Sequence, residues 1–305
     1  MQHAALDVKD LAVRSRKGIV LSGINFAVQP GELVAVFGPL GCGKSSLLGA
    51  LAGLSQSEGS IRLFGDSVSR SIARIELTPQ PGAARGATIQ QWLMKRAASS
   101  RVPLAQRAGR VARALDSMEL FTFRDTAIRE LSNGQQRSVS LAGGLASRSP
   151  VLLIDALLDA LSEPLLERTW NHLRGRVEKE NAAVIFATVR SEIAERADRV
   201  LIVDSGRSLT FSPPAEILKA YGQDTITIEA VDPSLVRGTL RGVSEVEMEE
   251  TPSGLMFTAT DGARAAASLF RHPPQGVRAI YVRRPSLWDA LDRLREESQS
   301  ETAHT

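Results

Sequence analysis

Cysteine is nearly absent: the 305 residues contain one, Cys42, so no internal disulfide can form and nothing calls for an oxidising compartment. A reducing cytoplasm is the expected setting. Long apolar runs are missing too. The longest candidate, the stretch from Val151 to Leu161, falls short of the ~18 to 20 residues of a membrane-spanning helix and carries Asp155 and Asp159, so the chain is not expected to cross a membrane by itself. Asp7 and Asp10 stand where a secretory leader would need a basic start, and no such leader is expected. A strong excess of either charge is lacking as well, with 37 Lys+Arg against 34 Asp+Glu for a net of +3.

What is present is an ordinary globular composition, 43% hydrophobic, which excludes disorder as a description of the whole chain. The length exceeds what one core usually supports, so one large domain with a small one, or two of middling size, is expected. Charge divides unevenly. Residues 223–305 hold nine Arg, no Lys and 13 Asp+Glu, a net of −4, which leaves +7 on residues 1–222. That mild excess suits an anionic ligand but reads as well as a solvated basic face.

Along the chain, 6–13 and 19–28 alternate apolar and polar residues, and Pro30-Gly31 turns into the apolar run 32–37, a strand buried on both faces. A glycine loop and an apolar helical pattern follow. Between about 87 and 148 the β signal gives way to helices, with Leu104, Val111, Leu115 and Leu120 at helical spacing. Strands at 151–155 and 182–188 flank a helix carrying Leu166, Trp170 and Leu173, the alternation of a parallel α/β layer. After a helix ending at Gly222, the order is strand 225–230, helix from Asp232 to about Arg241, strands 243–250 and 255–260, a helix with Ala263, Ala266, Ala267 and Phe270 on one face, and strand 277–282. A helix capped by Ser286 and Asp289 then runs to about Arg295. This β-α-β-β-α-β order indicates a small split-βαβ domain over 223–297, with 298–305 a flexible tail.

Gly38-Pro39-Leu40-Gly41-Cys42-Gly43-Lys44-Ser45 satisfies G-x-x-x-x-G-K-[ST] between a buried strand and a helix, the context this phosphate loop requires. Its glycines let backbone N–H groups face phosphate oxygens, Lys44 neutralises terminal phosphates, and Ser45 can hold Mg²⁺. Cys42 reads as a small residue at a variable position. Asp155 ends an apolar strand, where a second Mg²⁺ contact is needed.

With Leu131-Ser132-Asn133-Gly134-Gln135 lying between these, residues 1–222 resemble the ATP-binding subunits of ABC transporters. The resemblance implies an α/β P-loop NTPase fold of ABC type, a mixed β-sheet core with a helical subdomain at about 87–148, beside the small α+β domain. It implies ATP and Mg²⁺ as ligands, with ATP held by Gly38 to Ser46, Gln80 and Asp155, and Mg²⁺ by Ser45, Gln80 and Asp155. It also implies head-to-tail pairing of two such subunits, Leu131–Gln135 completing the partner's ATP site, and separate transmembrane permeases that place the subunit on the inner face of the cell membrane.

The departures from the family pattern matter more. The general-base glutamate falls at Ala156, the D-loop aspartate at Ser162 and the switch histidine at Val189, so no catalytic residue is intact. Asp159 stands where the family has a small residue and is not expected to replace the base. His3, His172, His272 and His304 all lie off the switch position. The adenine-stacking aromatic falls near Ser15, where Arg14 or Arg16 could substitute.

Residues 277–294 resemble the end of the small domain appended to ABC-2-type exporter ATPases, with Trp288 in place of a glutamate and Asp289 kept. The export resemblance points to a bacterial protein; the 31 Arg to 6 Lys agree with a GC-rich genome. The expected function is therefore an exporter's ATP-binding subunit with a weakly hydrolytic site, in a heterodimer rather than a homodimer. The alternatives are an ATP-gated regulatory module and a nucleic-acid-associated ABC protein. No nucleic-acid partner is expected, because such proteins carry tandem cassettes or long inserts.

Overall fold

Leu33–Phe37 and Ala183–Thr188 are apolar at almost every position, and the computed structural model buries both strands completely, side by side and parallel. It describes residues 3–15, 18–67, 74–78, 86–232, 249–251, 254–259, 262–271 and 276–303. These form two compact units, Met1–Pro213 and Pro214–Thr305.

In the first unit, strands β1 (Leu6–Ser15), β2 (Gly18–Val28), β4 (Ser57–Leu63) and β5 (Asp66–Ser67) form an antiparallel sheet in the order β2-β1-β4-β5. A second sheet has the order β10-β9-β3-β8-β7-β6, comprising β3 (Leu33–Phe37), β6 (Ile75–Leu77), β7 (Val151–Asp155), β8 (Ala183–Thr188), β9 (Arg199–Asp204) and β10 (Arg207–Ser212). All but the edge strand β10 run parallel. Helix α1 (Lys44–Leu51) contributes Leu47, Leu48 and Leu51 to a core shared with Leu6, Leu11 and Ile24 of the first sheet and Val36 and Ile185 of the second. Parallel strands present all their C-terminal ends at one edge. There the register sets Phe37 beside Thr188, and Ala187 beside Asp155.

The helical insert comprises α2 (Ile89–Ser99), α3 (Leu104–Ser117) and α4 (Asn133–Ala146). Thr88 and Gln91 make a reciprocal cap at the start of α2. Val111, Leu115 and Leu120 are buried as their spacing predicts, whereas Leu104 is 76% exposed. It is the first helical residue after Pro103, ahead of the turns that pack. Helix α5 (Glu163–Glu180) returns to the sheet and buries Leu166, Trp170 and Leu173, and the short α6 (Ser191–Ala194) follows β8.

The second unit starts earlier than composition suggests. Helix α7 (Pro214–Tyr221) packs on α9 (Leu287–Ala303), which draws its buried Ile217 into this unit rather than the first. Strands β11 (Asp224–Ala230), β12 (Glu249–Thr251), β13 (Gly254–Ala259) and β14 (Val277–Arg283) form an antiparallel sheet in the order β12-β13-β11-β14. Setting the first strand between the third and fourth is the split-βαβ arrangement. Residues 233–248, with the expected helix to Arg241 and most of the strand after it, lie outside the described residues. Helix α8 (Gly262–Arg271) buries Ala266 and Leu269, not Ala267 and Phe270 as the spacing predicts; Phe270 is 68% exposed. The last helix continues to Ala303, past the expected onset of a flexible tail at 298. No glycine or proline interrupts it, and the Ser298 hydroxyl donates to the Leu294 carbonyl at 2.8 Å.

Candidate functional site at the strand ends

The phosphate loop leaves β3 and enters α1. At Gly38 a β-carbon would stand 2.0 Å from the Val203 carbonyl oxygen, so only glycine passes there. Gly43, at φ 110°, caps α1 without a side-chain hydrogen bond, leaving the first helical turn free to accept an anion. Leu40 is exposed at the loop tip. Lys44 is buried, and its Nζ donates to the Gly38 and Pro39 carbonyls at 2.8 and 2.7 Å, so the ammonium lies inside the loop it would share with phosphates. Cys42 is buried with Sγ 3.8 Å from that ammonium; burial, the larger effect, pushes its thiol pKa up against the opposing charge of Lys44.

Ser45 Oγ donates to Asp155 Oδ1 at 2.9 Å, joining two residues 110 positions apart. A hydroxyl and a carboxylate meeting beside the loop are hard oxygen donors, a set that fits Mg²⁺. Ser46 follows within α1. Gln80 lies outside the described residues.

Ala156, where the sequence resemblance places the general base, is exposed in the left-handed region at φ 52°, a conformation costing a residue with a β-carbon about 1 kcal/mol, and its side chain carries no polar group. Asp159 is fully engaged. One oxygen accepts from the Thr188 hydroxyl and the other from the Val189 N–H at 3.0 Å, which ties the end of β8 to the turn after β7. Arg190, next along, pairs with Glu163 at 3.1 Å and Glu192 at 2.7 Å, and Glu163 adjoins the exposed Ser162. The spacing placed Asp159 near the site; the pairing with Thr188 could not be read, because it spans 29 residues.

The signature segment opens α4. Ser132 is its N-cap: its hydroxyl accepts from Gln135 N at 3.2 Å while Gln135 Oε1 accepts from Ser132 N at 2.9 Å. Leu131 is buried, and Ser132, Asn133 and Gly134 are exposed. No hydrogen bond or ion pair among the described residues joins this segment to the phosphate loop of its own chain. Arg14 pairs with Glu58 at 3.0 Å, and Arg16, His272 and His304 lie outside the described residues. His172 Nδ1 is 2.9 Å from Ser117 Oγ, on α5 and away from the strand ends.

A mixed sheet that delivers a glycine loop, a serine and an aspartate to one edge, with a helical insert bearing a capped polar signature, defines a P-loop nucleotide-binding cassette. The sequence profile of the ABC transporter family matches residues 21–158. The chain thus carries an ABC transporter ATP-binding domain. It is 29% identical over 278 residues to the spermidine/putrescine import ATP-binding protein PotA of Frankia alni, covering 88% of this chain and 58% of that protein's length. It is 27% identical over 304 residues to the Nod factor export ATP-binding protein I of Burkholderia orbicola, covering 96% of this chain and 98% of that protein. An ATP-binding subunit of an ABC transporter superimposes with a TM-score of 0.65 at 22% identity over 71% of this chain and 93% of that one. A bacterial Atm1-family ABC exporter with ATP bound superimposes with a TM-score of 0.62 at 21% identity, over 72% of this chain and 40% of that chain.

Proposed function

We propose that the chain is the ATP-binding subunit of a membrane ABC exporter of the ABC-2 type, and that its own site holds Mg-ATP for long periods and hydrolyses it slowly. One observation carries this reading: Ala156 and Val189 put hydrocarbon at the base and switch positions, while Lys44, Ser45 and Asp155 keep the groups that meet phosphate and metal. The loop N–H groups and the Lys44 ammonium bind the terminal phosphates, and Ser45, Asp155 and Gln80 are the oxygen donors for Mg²⁺. Bound there, Mg²⁺ supplies charge neutralisation at the phosphates. Asp159 spends both oxygens on Thr188 and Val189, so it positions the switch turn and does not act as base. Loss of a general base costs 10² to 10⁴ in rate, about 3 to 5 kcal/mol, without removing a binding contact.

The export direction is supported by the Burkholderia relative, which is matched over 98% of its length, against 58% for the Frankia import protein. The exposed Ser132 and Gly134 suit completion of a partner's site, which favours a heterodimer with an intact ATPase subunit docked on permeases at the inner face of the membrane. No helix among the described residues is long and apolar enough to cross a membrane.

At saturating Mg-ATP the purified chain should retain nucleotide with negligible turnover, and Ala156→Glu combined with Val189→His should raise turnover at least tenfold. Brisk hydrolysis by the unmodified chain, abolished by Lys44→Ala, defeats the proposal. In a reconstituted complex, Ser132→Arg should cut the partner subunit's turnover; an unchanged rate removes the heterodimer.

A further inference from the structure

A cleft of about 670 Å³ opens between α3 and α5, within the first unit and apart from the phosphate loop, β7 and the signature. Its lining is dominated by cations: Arg113, Arg168, Arg176 and Lys179, against the carboxylates of Asp116 and Glu180. Glu180 is already taken. Both its oxygens accept from Arg110, each at 2.7 Å. Arg110 is itself buried and also donates to the Ser147 carbonyl at 2.7 Å.

Arg176 is the buried member of the lining, 2% exposed. Its Nη1 and Nη2 donate to the Gly144 and Ser149 carbonyls at 3.0 and 2.8 Å, but its Nε has no hydrogen-bond partner, and Glu180 Oε2 stands 3.6 Å from it. Arg110 and Arg176 thus converge on Glu180, and the other carboxylate acting on Arg176, Glu76, is itself paired with Arg96, so three guanidiniums face two carboxylates where buried charges are ordinarily balanced. The same surplus acts on His172, which also lines the cleft. Burial first, and then Arg176, Arg110 and Arg113, lower its pKa to about 4. At the mouth, Arg168 has Glu119 at 3.8 Å, and the ion pairs among the described residues include none for Arg113 or Lys179.

We propose that this cleft binds a small, multiply charged phosphate compound, with Arg113, Arg168 and Lys179 meeting the phosphates at the mouth and Arg176 supplying the buried positive charge behind them. Guanidiniums match phosphate oxygens in bidentate geometry, and the volume falls within the roughly 300 to 1,000 Å³ of small-molecule sites. Arg176 also holds the Gly144 carbonyl near the C-terminal end of α4, whose N-terminus is the signature, so the compound sits against the residue that anchors the signature helix.

Pyrophosphate is the probe. Binding to the full-length chain is measured by calorimetry in a Lys44→Ala background, which silences the phosphate loop whether or not the loop binds ATP. The expected result is saturable binding that the pair Arg113→Glu and Lys179→Glu, both at exposed positions, weakens at least tenfold with the circular dichroism spectrum unchanged. Absence of binding in the Lys44→Ala chain overturns the proposal. So does binding indifferent to the charge reversals, or complete displacement by sodium chloride at matched ionic strength.

Discussion

Asp159 shows how a residue with a plausible catalytic character is assigned a different job by its neighbours. Its carboxylate accepts from the Thr188 hydroxyl and the Val189 N–H. Thr188 is fully buried, so Asp159→Ala leaves a poorly satisfied polar group and should destabilise the first unit by about 1 to 3 kcal/mol in denaturant unfolding. Nucleotide retention through Lys44 and Ser45 should survive the change. His172 makes a second prediction. Its folded pKa of about 4 lies below the ordinary 6.5, so the unfolded chain binds the extra proton first as the pH falls. Stability is complete above pH 6.5 and declines toward pH 4, by up to about 3 kcal/mol for this one group. His172→Gln should flatten that part of the profile; denaturation curves at pH 7.5 and pH 5 for both chains measure the difference.

The elements were legible where one face of a periodic run was uniformly apolar. β3, β7 and β8 are continuous apolar runs, and α5 carries Leu166, Trp170 and Leu173 on the side that packs. Spacing misled where an element's register against its neighbour mattered. Leu104 begins its helix before the packed turns, and α8 meets its sheet through Ala266 and Leu269. The signature is also an element-scale device, because Ser132 and Gln135 satisfy each other's backbone groups before any partner arrives. Ser132→Ala should therefore cost about 1 kcal/mol and speed hydrogen exchange in the first turn of α4, even in the isolated chain.

At the scale of the molecule, the two units divide the charge between them, and α7 goes with the second. A fragment of residues 214–305 retains the packing of Ile217, whereas one beginning at 223 loses it. The burial of that side chain is worth about 1.5 to 3 kcal/mol, so the shorter fragment should melt roughly ten degrees lower. Equal melting temperatures contradict the assignment.

By itself the sequence determined the chemistry on offer. The phosphate loop, Asp155, the signature and the hydrocarbon at Ala156 and Val189 are properties of residue type and spacing, which need no coordinates. Tertiary structure alone decided which of these groups meet. Ser45 reaches Asp155 across 110 residues, Asp159 reaches Thr188, and Arg110 and Arg176 converge on Glu180. The physical reason is common to all three. Local periodicity reports which face of an element is buried, but a contact between distant side chains depends on strand order and helix packing, which only the folded sheet specifies.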